Sequence, residues 1–482
     1  MKRELIVAAV AAILYAHMAA DAQAVAGRSS LLPIDSAELA RFVDPLIAAQ
    51  MEKEHIPGAV FVLVQDGRIL YQRGYGFADL ATKKPVDPAR TIWRIGSISK
   101  VFTATAVVQL ADRGRLRLDD DVNTYLTRFK VAGTYPEPVR FWHLLTHTAG
   151  FDEIRPGTRA ETEAELLSLG DFLAPKLVRL RPPGRVISYS TYGMSLAGYL
   201  VEQVSGLDFE TYLRRNIWGP LGMTRASIKV PDSLKRDVAV GYEWENGANQ
   251  HANWEWYHST PASSINASGV DMAHFIIAQL EGGRYGSTRI MSSCAARGMQ
   301  RRHFTMHPSL AGFAYGFFED FPNGQRIVEH GGNVEGFSAQ LVLLSDYNIG
   351  FFIASQHEPA RLKDVIQKAL IDHYFPDKRE RVRPTPMANY QSRASRYAGT
   401  YELNQFCHTC GAARREYPRA EVKPFPDGTI SISGNESHFV EVEPLVFRRV
   451  DGSPGTAVFH EDGTGRIDFL AGDAWLVAER IK

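Results

Sequence analysis

The 482-residue chain carries 54 Lys and Arg against 54 Asp and Glu, with 45% hydrophobic and 22% charged residues. These are ordinary globular values, and the length suggests two or three domains. The balanced charge gives no electrostatic basis for capturing nucleic acid or any other polyanion.

At the start, Met1-Lys2-Arg3, an apolar run from Leu5 to Leu14 and Ala22-Gln23-Ala24 read as a signal peptide over 1–24. Its apolar run is too short to span a bilayer. Export to the periplasm or medium is therefore expected, with no stable membrane anchor once the leader is removed. Asp35 and Glu38 then form a capping box ahead of Leu39, Phe42, Val43, Leu46, Ile47 and Met51, the pattern of an amphipathic helix. Gly58 to Val64 and Arg68 to Gly76, joined by Asp66-Gly67, predict a β-hairpin.

Next comes Trp93-Arg94-Ile95-Gly96-Ser97-Ile98-Ser99-Lys100, followed by a run apolar nearly all round to Ala111 and stopped by Asp112-Arg113-Gly114. That is a buried helix with Ser97 at its N-terminus and Lys100 on the same face, one turn on. Burial lowers an ammonium pKa, so a partly neutral Lys100 beside Ser97 makes a nucleophile with its base. The plainer alternative is a serine that only caps a helix.

Residues 160 to 182 read as a charged helix ended by Pro182-Pro183-Gly184. Ile187 to Gly193 reads as a loop, followed by a helix with Leu196, Leu200, Val201 and Val204 on one face and Gly206 just past its end. Trp244 to Pro261 shows no period and reads as irregular surface, and Val270 to Leu280 as a helix. Strands are predicted at 315–321, 326–330, 337–345 and 349–355, and a helix at 361–373. A polar, proline-bearing linker spans 376–392. Beyond it, 393–482 reads as a small β domain of short strands and turns, leaving 25–375 as the main domain. Cys407-His408-Thr409-Cys410 fits a small-loop disulfide or two inert thiols better than zinc, which lacks two further ligands. His143 and His147, at i and i+4 among apolar neighbours, read as buried structural histidines rather than a metal pair.

Four stretches together resemble the serine β-lactamase and penicillin-binding-protein superfamily, in its class C-like branch. They are Trp93–Lys100, Leu144-Leu145-Thr146-His147-Thr148-Ala149-Gly150-Phe151, Tyr189-Ser190-Thr191, and His330-Gly331-Gly332-Asn333-Val334-Glu335-Gly336-Phe337. The resemblance covers about residues 35 to 375. It implies an α+β fold, with a five-stranded antiparallel sheet flanked by helices beside an all-helical half, to which the C-terminal β domain, barrel-like, is added.

The resemblance also implies roles. Ser97 would be acylated, Lys100 would help remove its proton, and Tyr189 would act as base or relay, its pKa lowered by the neighbouring ammonium. Backbone N–H groups of Ser97 and Asn333 would form the oxyanion hole. Thr191, His330, Gly331 and Gly332 would contact substrate. No metal and no cofactor is implied. Read without the resemblance, Tyr189 is a buried phenol and His330 a strand-end surface histidine.

Two departures stand out. Thr191 replaces the commoner asparagine, whose amide reaches both lysine and substrate. His330 replaces a lysine, and with an unperturbed pKa near roughly 6.5 it would bind a substrate carboxylate only at the acid end. The expected activity is therefore a serine hydrolase cleaving amide bonds of small peptides, D-aminopeptidase- or DD-peptidase-like. A carboxylesterase or weak β-lactamase is the alternative within the fold, and a catalytically silent peptide- or cell-wall-binding protein the alternative outside it.

Overall fold

The computed structural model describes residues 32–481 apart from 155–156, 359, 412–418, 433–437 and 473–476. The expected leader, 1–24, lies outside the described residues. Helix α1 (Ser36–Lys53) starts where the capping box predicts, with the Asp35 side chain accepting from the Glu38 N–H. It buries Leu39, Val43, Ile47 and Met51 against one face of the sheet. Strands β1 (Gly58–Gln65) and β2 (Arg68–Asp79) form the predicted hairpin. Asp66 and Gly67, at φ 51° and 73°, supply the two left-handed residues that its tight turn requires.

Helix α2 (Ser99–Asp112) runs through the main core with every residue from Ser99 to Leu110 buried. Its polar side chains survive there because each has a partner: Ser99 donates to Gly96 O, Thr103 to Pro261 O, and Gln109 to Asn216 O and Ile290 O. Gly114, at φ 68°, follows its end as expected. Helix α3 (Thr191–Ser205) is capped by the Ser190 hydroxyl, which accepts from Gly193 N, and ends at left-handed Gly206. It begins three residues earlier than the sequence suggests, because that cap takes Thr191, Tyr192 and Gly193 into its first turn.

The sheet has seven antiparallel strands. With β3 (Lys84–Pro85), β4 (Phe318–Asp320), β5 (Ile327–Val334), β6 (Phe337–Leu344) and β7 (Ile349–Gln356), the order is β4-β5-β6-β7-β1-β2-β3. The five long strands match the expected sheet, and β3 and β4 are short additions at its edges. β4 pairs only with Ile327 to Glu329 of β5, and is shorter than the 315–321 expected. The edge of β5 from His330 to Val334 opposite β6 is thus left to face the helical half. Helix α4 (Thr260–Ser263) and helix α5 (Gly269–Leu280) follow the tryptophan-rich stretch, and α6 (Leu362–Tyr374) packs beside α1.

Two readings need correction. The stretch 160–182 holds only a short helix, Leu169–Leu173, and a 3-10 turn at Glu163–Glu165, with Glu161 and Glu165 exposed but Arg179 and Arg181 buried. Within 244–261, Tyr242–Glu245 and Ala248–His251 pair as a hairpin; its turn residues, Asn246 and Gly247, carry positive φ.

The C-terminal part is a closed barrel of eight strands: β8 (Gly399–Leu403), β9 (Arg419–Pro424), β10 (Ile430–Ile432), β11 (Phe439–Glu443), β12 (Val446–Arg449), β13 (Thr456–Glu461), β14 (Ile467–Ala471) and β15 (Val477–Arg480). Closure pairs β15 back onto β8, leaving no open edge among these strands. Its outer face buries Val446, Val458, Phe469, Ala471 and Val477 against Val186, Ile187, Leu310 and Phe313 of the main domain. No helix of the described residues is long and apolar enough to cross a membrane.

Candidate active site

Gly96–Ile98 forms a single 3-10 turn ahead of α2, so Ser97 sits at the helix entrance. Lys100 Nζ donates to Ser97 Oγ at 2.9 Å and to Ala262 O of α4 at 2.9 Å. Lys100 is 0% exposed. Burial pushes its pKa down to about 7, and the nearby Glu153 charge works the other way. An amine in that range is substantially neutral at pH 7, so it can accept the hydroxyl proton as the oxygen attacks.

The open edge of β5 runs past this turn. A Cβ on Gly332 would overlap the Ile95 carbonyl oxygen and lie 3.1 Å from Ser97 N, and one on Gly96 (φ 52°) would lie 2.9 Å from Asn333 N. Only glycines allow the two backbones this approach. The N–H groups of Ser97 and Asn333 are thereby brought to one place, where a pair of donors can stabilise an oxyanion. The Asn333 side chain is turned away, its Oδ1 accepting from Ser338 Oγ at 2.8 Å and Lys363 Nζ at 2.6 Å.

Tyr189 stands on the far side of Lys100, whose Nζ lies 4.9 Å from its ring centroid. His147, at φ 56°, stacks on Tyr189 with centroids 4.4 Å apart. Its Nδ1 accepts from Ser190 N at 3.1 Å, and its carbonyl accepts from Ser188 N at 2.8 Å. Burial, with Lys100 and His330 nearby, keeps its imidazole well below the usual value. His143 Nδ1 accepts from Arg140 N, and burial lowers it to about 4. Both histidines are thus held in local hydrogen bonds, and among the described residues no group of three or more His, Cys, Asp or Glu is arranged to hold a metal.

His330 overturns an expectation. It is 2% exposed, packed between Phe318 and Tyr189, with Nδ1 on Gly331 O. Burial and Lys100 push its pKa down to about 3, so it is neutral across the range where it was expected to titrate. A neutral imidazole offers a substrate carboxylate no charge at pH 6 or 8.

Thr191 opens α3, and its N–H donates to Glu153 Oε2 at 2.8 Å. Sequence reasoning missed Glu153, which lies two residues beyond the Leu144–Phe151 motif and directly after Asp152. It also missed Ala262 O, because α4 follows a stretch read as irregular surface. That stretch reaches the site from the other side too: Glu255 Oε2 accepts from Glu335 N at the end of β5. Arg94 Nη2 donates to Glu255 O, and the guanidinium lies 4.5 Å over the Trp254 ring. Cys407 and Cys410 are joined as a disulfide, and Cys294 is free and exposed.

Residues 43–373, which contain Ser97, Lys100, Tyr189 and His330, match the family described as Beta-lactamase. The chain is 26% identical over 350 residues to Protein flp of Staphylococcus aureus (strain N315), covering 69% of this chain and 66% of that one. It is 30% identical over 226 residues to the Putative penicillin-binding protein PbpX of Bacillus subtilis (strain 168), covering 46% and 55%. Among solved structures, SurE matches with a TM-score of 0.65 at 21% identity, over 91% of this chain and 98% of that one. The octameric penicillin-binding protein homologue from Pyrococcus abyssi matches with a TM-score of 0.60 at 22% identity, over 91% and 100%. The fold is therefore shared beyond the catalytic half, and the chain belongs to the β-lactamase family of serine hydrolases.

Proposed function

We propose that the protein is an exported serine hydrolase that cleaves amide bonds of small peptides through an acyl-enzyme on Ser97. The supporting observation is the buried Lys100 amine, held 2.9 Å from Ser97 Oγ with its pKa lowered to about 7. Lys100 takes the Ser97 proton as Oγ attacks the scissile carbonyl, and the N–H groups of Ser97 and Asn333 receive the developing oxyanion. Tyr189, beside Lys100, gives its phenolic proton to the leaving amine and is reprotonated by the Lys100 ammonium. In deacylation the same pair takes a proton from the attacking water and passes it to Ser97 Oγ as the acyl group leaves. Neutral His330 favours amides without an adjacent carboxylate, of the D-aminopeptidase type, over penicillins and C-terminal D-peptides.

A fluorophosphonate probe should label the wild-type protein once, at Ser97, and Ser97→Ala should abolish labelling while remaining folded. A panel of neutral amino-acid amides, D-Ala-D-Ala peptides and nitrocefin then reads the substrate class. Undiminished labelling of Ser97→Ala would refute the nucleophile. Turnover of nitrocefin well above that of the amides would refute the substrate class alone.

A further inference from the structure

The segment carrying Tyr189 is irregular backbone, Ile187 to Ser190, between the Pro182-Pro183-Gly184 bend and α3. Such a segment does not fix a side chain by its own hydrogen bonds, so its position must be imposed from outside. On one side His147 supplies two bonds, described above. On the other side the supports come from the barrel, more than 200 residues along the chain.

Asn404 follows β8 and is 2% exposed. Its N–H is tied to Val477 O of β15, which fixes it in the barrel wall. From there Nδ2 donates to Ile187 O at 2.6 Å, and the Asn404 main-chain carbonyl accepts from Ser188 Oγ at 2.9 Å. Water is excluded from both bonds, so neither has a solvent competitor and losing either leaves a buried polar group unpaired.

The second support reaches the other end of the segment. The four-residue loop closed by the Cys407–Cys410 disulfide points two successive N–H groups, His408 and Thr409, at the buried Asp152 carboxylate, at 2.8 and 3.0 Å. Thr409 Oγ1 adds a third bond at 2.6 Å. Burial works to raise the Asp152 pKa, but these bonds outweigh it and hold the carboxyl down to about 2. Asp152 is thus a fixed anion in the nest of N–H groups that the closed loop presents. The next residue is Glu153, which holds the Thr191 N–H. Arg181 strengthens the same seam through its ion pair with Glu479.

Tyr189 therefore lies between two points anchored to the barrel, directly at 187–188 and through Asp152 and Glu153 at 191. We propose that the C-terminal barrel is part of the catalytic unit, with Asn404 and the disulfide-closed 407–410 loop acting as positioning residues for Tyr189. The inference rests on the reading of Tyr189 as the proton-transfer group. A displacement of about 1 Å at such a group is enough to slow a reaction roughly 100-fold.

The chain has three cysteines, and Cys294 is the free one. In a Cys294→Ser background, dithiothreitol therefore opens a single known bond in the full-length protein. The readout is hydrolysis of a neutral amino-acid amide, whose leaving amine needs the proton carried by Tyr189, against substrate concentration and pH, in three forms: oxidised, reduced and alkylated, and Asn404→Leu. The expected result is a fall in kcat of roughly 10- to 100-fold with KM little changed, while fluorophosphonate labelling of Ser97 stays near the oxidised rate. The thermal midpoint falls, and the assays are run well below it. The pH profile of kcat should change in both altered forms, and reoxidation of unalkylated protein should restore the rate. Should Asn404→Leu fail to fold, reduction of the native loop supplies the same readout without a new side chain.

An unchanged rate and pH profile in folded, altered protein would overturn the proposal. So would a loss that tracks unfolding with no change in the pH profile. Absence of Ser97 labelling in the oxidised parent would instead remove the underlying reading, which separates the two failures.

Discussion

Ser97 and Lys100 are placed by one short stretch of chain, with a single bond from Lys100 Nζ to Ala262 O outside it, whereas the stretch carrying Tyr189 is held by three others. The first pair is set by three-residue spacing on a helix entrance whose apolar neighbours drive it into the core. Its lysine is perturbed chiefly because the helix is buried, so one element sets both its position and most of its reactivity. Tyr189 sits on backbone without regular structure, supported by His147, Glu153, Asp152 and Asn404 from three other parts of the chain. Local supports resist perturbation elsewhere, and distributed ones make the site sensitive to distant changes.

The largest expected effect breaks the local pair. Lys100→Met should cut Ser97 acylation by about 10²–10⁴-fold, the usual value of a positioned base. Because Met fills the space without a buried amine, chemical denaturation should show stability unchanged or raised. A comparably stable variant with near-normal labelling would show that Lys100 is not the base.

Gly332→Ala attacks the junction between the two supports. Its methyl would overlap the Ile95 carbonyl oxygen and push β5 from Ser97 N. Loss of about 100-fold in acylation is expected, with the loss concentrated in the maximal rate. Pre-steady-state acylation of an activated ester measures it.

Acid should loosen the Tyr189 side before the Ser97 side. His147 and His330 flank Tyr189 and are buried neutral, with folded pKa values depressed well below 6.5 and to about 3. Unfolded imidazoles bind protons that the folded ones refuse, so this stability is complete above about pH 6.5 and is lost as pH falls below it. Each histidine removes about 1.4 kcal/mol per pH unit in that window. Urea midpoints at pH 7, 6 and 5 should fall accordingly, and His330→Gln should flatten the trend.

The smallest effect sharpens the comparison. Glu153 charge raises the Lys100 pKa against the burial that lowers it. Glu153→Gln keeps an acceptor for Thr191 N but removes that charge, so the rise in acylation rate near pH 7 should move slightly to lower pH. A shift to higher pH would contradict the assigned sign.

What the sequence disclosed follows the same division. The buried helix behind Ser97, the 58–76 hairpin, the α1 cap and the β character of the C-terminal part are local patterns, and each is readable from a window of about twenty residues. The open edge of β5 was legible through Gly331 and Gly332. The neutral state of His330 was not, because its burial comes from Phe318 and Tyr189, distant in sequence. The same holds for Glu153: a single acidic residue after a motif says nothing until α3 docks on it. The stretch 160–182 misled because charged residues at helical spacing also suit exposed loop. Nothing near Cys407 or Asn404 hints that they meet Asp152 and Ile187, since that contact depends on how the closed barrel seats against Val186 and Phe313.

The order of these parts along the chain also sets an order in time. Synthesis proceeds from the N-terminus and domains fold as they emerge, so the Ser97 helix can form long before residue 404 exists. Until the barrel closes and the 407–410 loop oxidises, Tyr189 has only its His147 support. The nascent chain then carries a nucleophile without a fixed proton carrier. On the proposed role of the closed loop, full hydrolytic competence arrives last, after the disulfide, which forms under oxidising conditions. On that proposal, turnover through the Ser97 acyl-enzyme is withheld while the chain is still extended.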